Sequence, residues 1–207
     1  MPKVVAVIPA RKGSKRLPDK NKRMFCGKPL INYTIEEALK CEFIDDIIVS
    51  TDDLDIINIC RDDFIEAGKS GLRLTVVRRP SELAQDDTPM WKVINHIFED
   101  NPFETIILLL QPTTPLRTKK DIESCYGIFN LYGLPRVISV FREDYYHFKL
   151  NGAIYLFTYA VFYRTNKIVS NQGSYFYIMP AERSIDIDTL EEFERAERIM
   201  KRRLNKE

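Results

Sequence analysis

Apolar residues fall along this chain in two alternating patterns, short apolar runs and stripes spaced three and four apart. The runs cover residues 4–8, 46–51, 72–77, 105–110, 137–140, 153–157 and 175–179. The run at 4–8 is continuous and β-branched, as in a strand buried on both faces. The stripes predict helices through Leu30, Tyr33, Thr34, Glu37 and Ala38; through Ile56, Ile57, Cys60 and Phe64; and through Met90, Val93, Ile94 and Ile97. Two more run through Ile122, Cys125 and Phe129, and through Phe193, Ala196, Met200 and Leu204. Start signals precede them: Pro29 near the first, Asp52 and Asp53, Thr88-Pro89, Thr118 with Asp121 as a capping box, and Asp188/Thr189. Gly27-Lys28-Pro29 predicts a turn. Strands alternating with helices of about a dozen residues predict an α/β fold, a doubly wound, mostly parallel sheet with helices on both faces. The run at 105–110 is the most apolar and is expected at the centre of the sheet. No repeat or low-complexity linker divides the chain, so residues 1–207 are read as a single domain.

Composition narrows the function classes. With 207 residues, 44% hydrophobic and 29% charged, the chain can bury a sizeable core. A net charge of +1 argues against a general nucleic-acid binder. The balance is uneven, however. Residues 1–40 hold ten Lys/Arg and three Asp/Glu, a net of +7, while the other 21 basic and 27 acidic residues leave the remainder at −6. A basic amino-terminal part facing an acidic body suits an anionic ligand bridged by a cation to carboxylates. Cys26, Cys41, Cys60 and Cys125 form no CxxC pair, so reduced thiols are expected rather than a disulfide framework or zinc site. Neither His96 nor His147 is assigned a ligand role. The longest apolar runs are too short to cross a bilayer, and the first ten residues lack the pattern of a signal peptide. A cytoplasmic location follows as the expectation.

Three segments could carry chemistry. The first is VVAVIPARKGSKRLPDKN, residues 4–21, in which a buried strand runs into a loop holding Arg11, Lys12, Lys15, Arg16 and Lys20 against one acid, Asp19. A cationic loop with backbone amides around Gly13 and Ser14, placed at a strand's carboxyl end, is suited to a polyphosphate. It is neither GxxxxGK[ST] nor GxGxxG, so P-loop and dinucleotide readings fail, and charge alone equally allows a solvated loop. The second is SIDIDT, residues 184–189. Alternation puts Asp186 and Asp188 on one face, where two carboxylates can hold a Mg²⁺ shared with substrate phosphates. Spacing alone favours a plainer role, with Asp188 capping the last helix and Asp186 at the surface. The third is QPTTP, residues 111–115, a proline-stiffened turn whose polar groups could hydrogen-bond a hydroxylated ligand or form an ordinary turn. Arg11, Asp52, Arg79 and Gln111 all lie just past predicted strands, where a single crevice could collect them.

Taken in order, IPARKGSKRLPDKN, GKPLINYTIEEAL, IIVSTDD, RRPSELAQDDT, LLLQPTTPLR, NGAIYLF and SIDIDT resemble the acylneuraminate cytidylyltransferases, the CMP-sialic acid and nonulosonic acid synthetase family. These stretches cover most of the chain, and their combination is specific although each piece is not. The resemblance implies a Rossmann-like nucleotidyltransferase that uses CTP and Mg²⁺ to convert a sugar acid to a CMP-sugar and pyrophosphate. By motif position it implies that Ala10, Arg11, Gly13, Ser14, Lys20 and Asn21 contact the nucleotide and that Arg79 holds its cytidine end. It also places Gln111 and Asn151 at the sugar acid and Asp186 and Asp188 on the metal, with Arg11, Lys20 and Asp188 in the chemistry. A related enzyme acting on 3-deoxy-manno-octulosonate or using another nucleotide, and a relative that binds without turnover, are the alternatives. The family carries a long insertion before NGAIY, forming an arm that swaps across a dimer. Here the link is only residues 141–150, FREDYYHFKL, too short for that arm, which leaves open both a homodimer and the identity of the sugar.

Overall fold

A computed structural model describes residues 2–64, 73–99, 102–170 and 173–205. Seven strands form one sheet: β1 (Val4–Pro9), β4 (Asp46–Thr51), β5 (Arg73–Arg78), β6 (Ile106–Leu110), β7 (Arg136–Arg142), β8 (Phe148–Thr158) and β9 (Tyr175–Ile178). Their order is β5-β4-β1-β6-β8-β7-β9, with β6 central as its composition suggested. The pairs β5/β4, β4/β1, β1/β6 and β7/β9 are parallel, whereas β8 runs antiparallel to both β6 and β7. A two-strand ribbon, β2 (Met24–Phe25) with β3 (Lys28–Pro29), forms the turn expected at Gly27. The predicted strand at 72–77 appears as Arg73–Arg78; Leu72 lies outside the described residues.

Helices α1 (Leu30–Leu39), α2 (Leu54–Phe64) and α4 (Lys119–Tyr132) cover one face. Helices α3 (Met90–Phe98) and α5 (Tyr159–Thr165) cover the other. This two-sided cover explains the unbroken run in β1. Val4, Ala6 and Ile8 point into the first layer and Val5 and Val7 into the second, so no position faces water. The last helix, α6 (Leu190–Leu204), packs Phe193, Ala196 and Met200 against Leu17, Phe25, Leu30, Ile185 and Ile187. That third cluster ties the amino-terminal loop to the carboxyl-terminal segment.

The helix starts are partly as predicted. Thr118 and Asp121 form a reciprocal capping box on α4, and Thr189 with Glu192 does the same on α6. Asp53 accepts the amide of Asp55 at 3.0 Å at the start of α2. Thr88 does not cap α3, because Pro89 occupies that position and no side chain bonds the first turn. Helix α5 and the first five residues of β8 were not predicted.

Asp121 does more than cap. It is fully buried and accepts from Arg183 at 2.8 and 3.0 Å and from Tyr177 at 3.0 Å. Burial pushes its carboxyl up, but the hydrogen bonds from Arg183 and Thr118 outweigh that and hold it below the ordinary value. A carboxyl lowered in the folded state stabilises fully above its unfolded value, about pH 4, and the contribution fades as pH falls through the lower folded one. Asp121→Asn is expected to be less stable at neutral pH and to lose less stability than the wild type between about pH 4 and pH 2, read as melting temperature against pH.

Candidate active site

At the carboxyl ends of β1, β5 and β6 lies a cleft of about 530 Å³. Its walls carry Arg11, Lys15, Arg16, Lys20 and Arg79 against only Asp86 and Asp188. Five cations and two carboxylates concentrate positive charge there in a chain that is nearly neutral overall, as a polyanion site requires. Asn21, Gln111, Pro112, Thr113 and Ser14 also line it.

The loop after β1 is fixed from several sides. The Lys12 amide donates to Asp52 at 2.7 Å, and the Asn21 side-chain amide donates to the Arg11 carbonyl at 3.3 Å. Gly13 takes φ +74°, a left-handed turn open to few other residues. Lys22 is clamped by Asp19, Asp53 and Asp55 at 2.5 to 3.2 Å. Asn21 Oδ1 is buried and has no protein partner among the described residues, so it can accept from a bound ligand.

The junction that defines the site joins the two ends of the chain. Lys20, buried at 8% exposure, donates to Asp188 Oδ1 at 2.8 Å and to the Ile187 carbonyl at 2.6 Å. Arg16 meets the other Asp188 oxygen at 2.7 Å. The Asp188 carboxylate is therefore not the cap of α6, the role that spacing alone favoured; Thr189 has that role. Asp186 is half-buried rather than at the surface. Burial is the main cause that pushes its carboxyl up, and the Asp188 charge adds to it, while Thr113 and Lys20 oppose. Thr113 holds this segment through its carbonyl, which accepts the Ile187 amide at 2.8 Å.

Arg79 leaves the end of β5 and lies buried against β4. Its Nε donates to Ser50 Oγ at 3.2 Å and its NH2 to the Ser50 carbonyl at 2.9 Å. Burial lowers its pKa to about 10, with Asp52 opposing that shift and Arg11 adding to it. It has no carboxylate within ion-pair distance among the described residues. Gln111 sits at the cleft wall on a turn braced by Arg117, whose NH1 donates to the Gln111 carbonyl at 3.3 Å, to Thr114 Oγ1 at 2.9 Å and to the Ala153 carbonyl at 2.6 Å.

Most of the residues singled out from the sequence meet here: Arg11, Ser14, Lys20, Asn21, Arg79, Gln111 and Asp188 all line the cleft. Asp186 lies behind that wall, beside Gln111. Ala10 is buried, and its amide donates to the Ser50 carbonyl at 2.9 Å. Asn151 lies in the core instead. Its Oδ1 accepts from Ser139 at 2.7 Å and from the Ala153 amide at 3.1 Å, and its Nδ2 donates to Ser184 at 3.0 Å. Sequence reasoning missed Asp86, which pairs with both Arg11 and Lys15 across the cleft. Its signal was a polar loop at 81–87 directly after a strand, whose partners lie some seventy residues away.

A mostly parallel α/β sheet with a cationic, carboxylate-flanked cleft at its strand ends has the layout of a Rossmann-like nucleotide-binding enzyme. Comparison with known proteins sharpens this. Residues 5–127, more than half of the chain, match the family model described as cytidylyltransferase. The CMP-N,N'-diacetyllegionaminic acid synthase of Legionella pneumophila is 30% identical, over 99% of this chain and 98% of that protein. The pseudaminic acid cytidylyltransferase of Campylobacter jejuni is 29% identical over 96% and 97%. The N-acylneuraminate cytidylyltransferase of Streptococcus agalactiae is 30% identical over 92% of this chain, which spans about half, 52%, of that longer protein. The chain therefore belongs to the cytidylyltransferase family, among the acylneuraminate cytidylyltransferases and their nonulosonate relatives.

Solved structures agree on the fold. A CMP:2-keto-3-deoxy-manno-octonic acid synthetase complexed with CTP superposes with a TM-score of 0.66 at 19% identity, covering 97% of this chain and 99% of that one. The 4-diphosphocytidyl-2C-methyl-D-erythritol synthase of Anaerococcus prevotii gives 0.69 at 14% identity, covering 97% and 96%. The legionaminate alignment runs over 238 positions, 31 more than the 207 residues of this chain, so the relative carries segments with no counterpart here. In this chain β7 and β8 pair directly, from Arg142 opposite Phe148, and only residues 143–147 turn between them.

Proposed function

We propose that this enzyme activates a nonulosonic, sialic-type sugar acid with CTP, giving a CMP-sugar and pyrophosphate. The observation that carries the proposal is the contact of Lys20 with Asp188, which joins the polyphosphate-type loop to the carboxylate pair across one cleft. The anomeric hydroxyl oxygen attacks the α-phosphorus, the bond to the β-phosphate oxygen breaks, and the hydroxyl proton is released.

Two anions must approach each other for this to happen, and their repulsion in a low-dielectric cleft is large. Arg11, Lys15, Arg16 and Lys20 offset it by surrounding the phosphates, and they stabilise charge on the departing pyrophosphate. Before CTP arrives, these cations rest on Asp86 and Asp188. Arg79, anchored on Ser50, is placed to hold the cytidine end, and the partnerless Asn21 Oδ1 to accept from the nucleotide. Gln111, stiffened by Arg117, is placed to orient the sugar acid, with Asn151 acting from behind it. Little beyond in-line positioning is then required of the protein.

The donors fit a Mg²⁺ ion. Asp186 and Asp188 offer oxygen only, and the raised Asp186 carboxyl is relieved by a nearby cation. Bound there with the phosphates, the ion would supply charge neutralisation. Among the described residues no helix is long and apolar enough to cross a membrane, and we read the enzyme as cytoplasmic.

Pyrophosphate release should require CTP, Mg²⁺ and a nonulosonic acid together, with GTP, UTP and ATP failing to replace CTP. A screen that includes 3-deoxy-manno-octulosonate separates the sugar classes. Turnover with that octulosonate alone, or with another nucleotide, would refute the proposed substrate pair.

A further inference from the structure

Strand β8 is irregular where it passes the site. Its pairing with β7 shifts between Ile138 and Val140, and Gly152 sits in the bulge with φ +70°. Asn151 pins the bulge from the core side through Ser139, Ser184 and the Ala153 amide. On the other side the Gly152 backbone meets two oxygens. A Cβ at this position would lie 2.9 Å from Asp186 Oδ2 and 2.9 Å from Gln111 Oε1. At the other described left-handed glycines the space is open or nearly so: Gly13, Gly27 and Gly133 have nothing within 4 Å, and Gly173 only Pro135 at 3.3 Å.

We propose that Gly152 is a positioning residue for the transfer: its missing side chain lets Gln111 and Asp186 converge, and so sets how the sugar acid is held relative to the carboxylate pair. This rests on the cytidylyltransferase reading of the cleft. Both colliding atoms are free ends of side chains, which yield before the backbone does. A methyl group at Gly152 therefore drives Gln111 and Asp186 apart and leaves the sheet in place. The groups proposed for CTP stand on the loop after β1 and at the end of β5, and neither colliding side chain is one of them. A displacement of about 1 Å at a positioning group can cost about a hundredfold in rate.

The test compares Gly152→Ala with Gly133→Ala, which imposes the same left-handed strain at φ +58° at the end of α4, in open space. Three quantities are measured: the CTP dissociation constant by calorimetry without sugar acid or Mg²⁺, KM and kcat for the sugar acid, and the melting temperature. Gly152→Ala is expected to keep CTP affinity within about twofold and to lower kcat/KM for the sugar acid by about a hundredfold. Gly133→Ala is expected to melt lower by a similar amount with unchanged kinetics. Equal kinetics in the two variants overturn the inference, as does a Gly152→Ala protein that loses CTP binding in proportion. A Gly152→Ala protein that fails to fold overturns it too, because the backbone and not the two side chains would then have absorbed the crowding. Wild-type enzyme that turns over no sugar acid defeats the functional reading instead.

Discussion

Asp188→Asn is expected to lower turnover by about a hundredfold or more while the melting temperature moves by only about 2–4 °C. The change removes one negative charge and keeps the shape. The amide put in place of the carboxylate still offers an oxygen to Lys20, and Lys20 keeps the Ile187 carbonyl as a second acceptor. The Asp188 side chain is 36% exposed, so its ion pairs with Arg16 and Lys20 contribute little to folding in solvent-screened surroundings. The cap of α6 is untouched, because Thr189 and Glu192 supply it. In the proposed reaction the same charge matters far more, since it holds Arg16 and Lys20 at the cleft and would supply one of the two carboxylates we propose for a divalent cation. Pyrophosphate release at saturating substrates, beside a thermal scan, separates the two effects. Full activity in Asp188→Asn would remove this carboxylate from the chemistry.

The largest stability loss is expected at Arg117. This guanidinium is fully buried, and burial lowers its pKa to about 10, with Glu37 and Asp121 pushing the other way. No carboxylate touches it among the described residues. It donates instead to the carbonyls of Gln111 and Ala153 and to the hydroxyls of Thr114 and Thr34, at 2.6 to 3.3 Å. One side chain thus fastens the end of β6, the bulge of β8 and helix α1. Arg117→Ala leaves these acceptors without their donor and opens a cavity, a loss of about 4 kcal/mol or more. For a chain of this size that is a fall of about 10 °C in melting temperature. Arg117→Lys should recover little, since an ammonium cannot span the fork that the guanidinium fills. A melting temperature within about 2 °C of wild type in Arg117→Ala would contradict this account.

Much of the architecture was legible because its physics is local. Residues 4–8 and 105–110 read as strands from their apolar runs and appear as Val4–Pro9 and Ile106–Leu110, since burial on both faces demands such runs. Thr118 with Asp121 read as a helix start because a capping box lies within four residues. The basic loop and the SIDIDT pair were visible from charge and alternation, and their meeting was expected from the family resemblance; the contact of Lys20 with Asp188 brings them together. What escaped was set by contacts distant in sequence. Helix α5 follows β8 directly and spans seven residues, too few to show a period. The start of β8 at Phe148 is disguised by exposed polar and aromatic positions, and its antiparallel course by the absence of any sequence marker for direction. Asn151 looked available for a ligand, yet its partners Ser139 and Ser184 come from elsewhere and enclose it. Asp86 gave no sign of pairing with Arg11 and Lys15 until the fold brought the loops together.

Whether the nucleotide's α-phosphorus ends up joined to a sugar acid is the most direct test. CTP labelled at that phosphorus is incubated with enzyme, Mg²⁺ and a nonulosonic acid, and the products are followed by phosphorus NMR and mass spectrometry. The account predicts a labelled CMP-sugar formed in equal amount with pyrophosphate, and none when the sugar acid is omitted. Label that stays in CTP, or that passes to free CMP whether or not sugar acid is present, would contradict it.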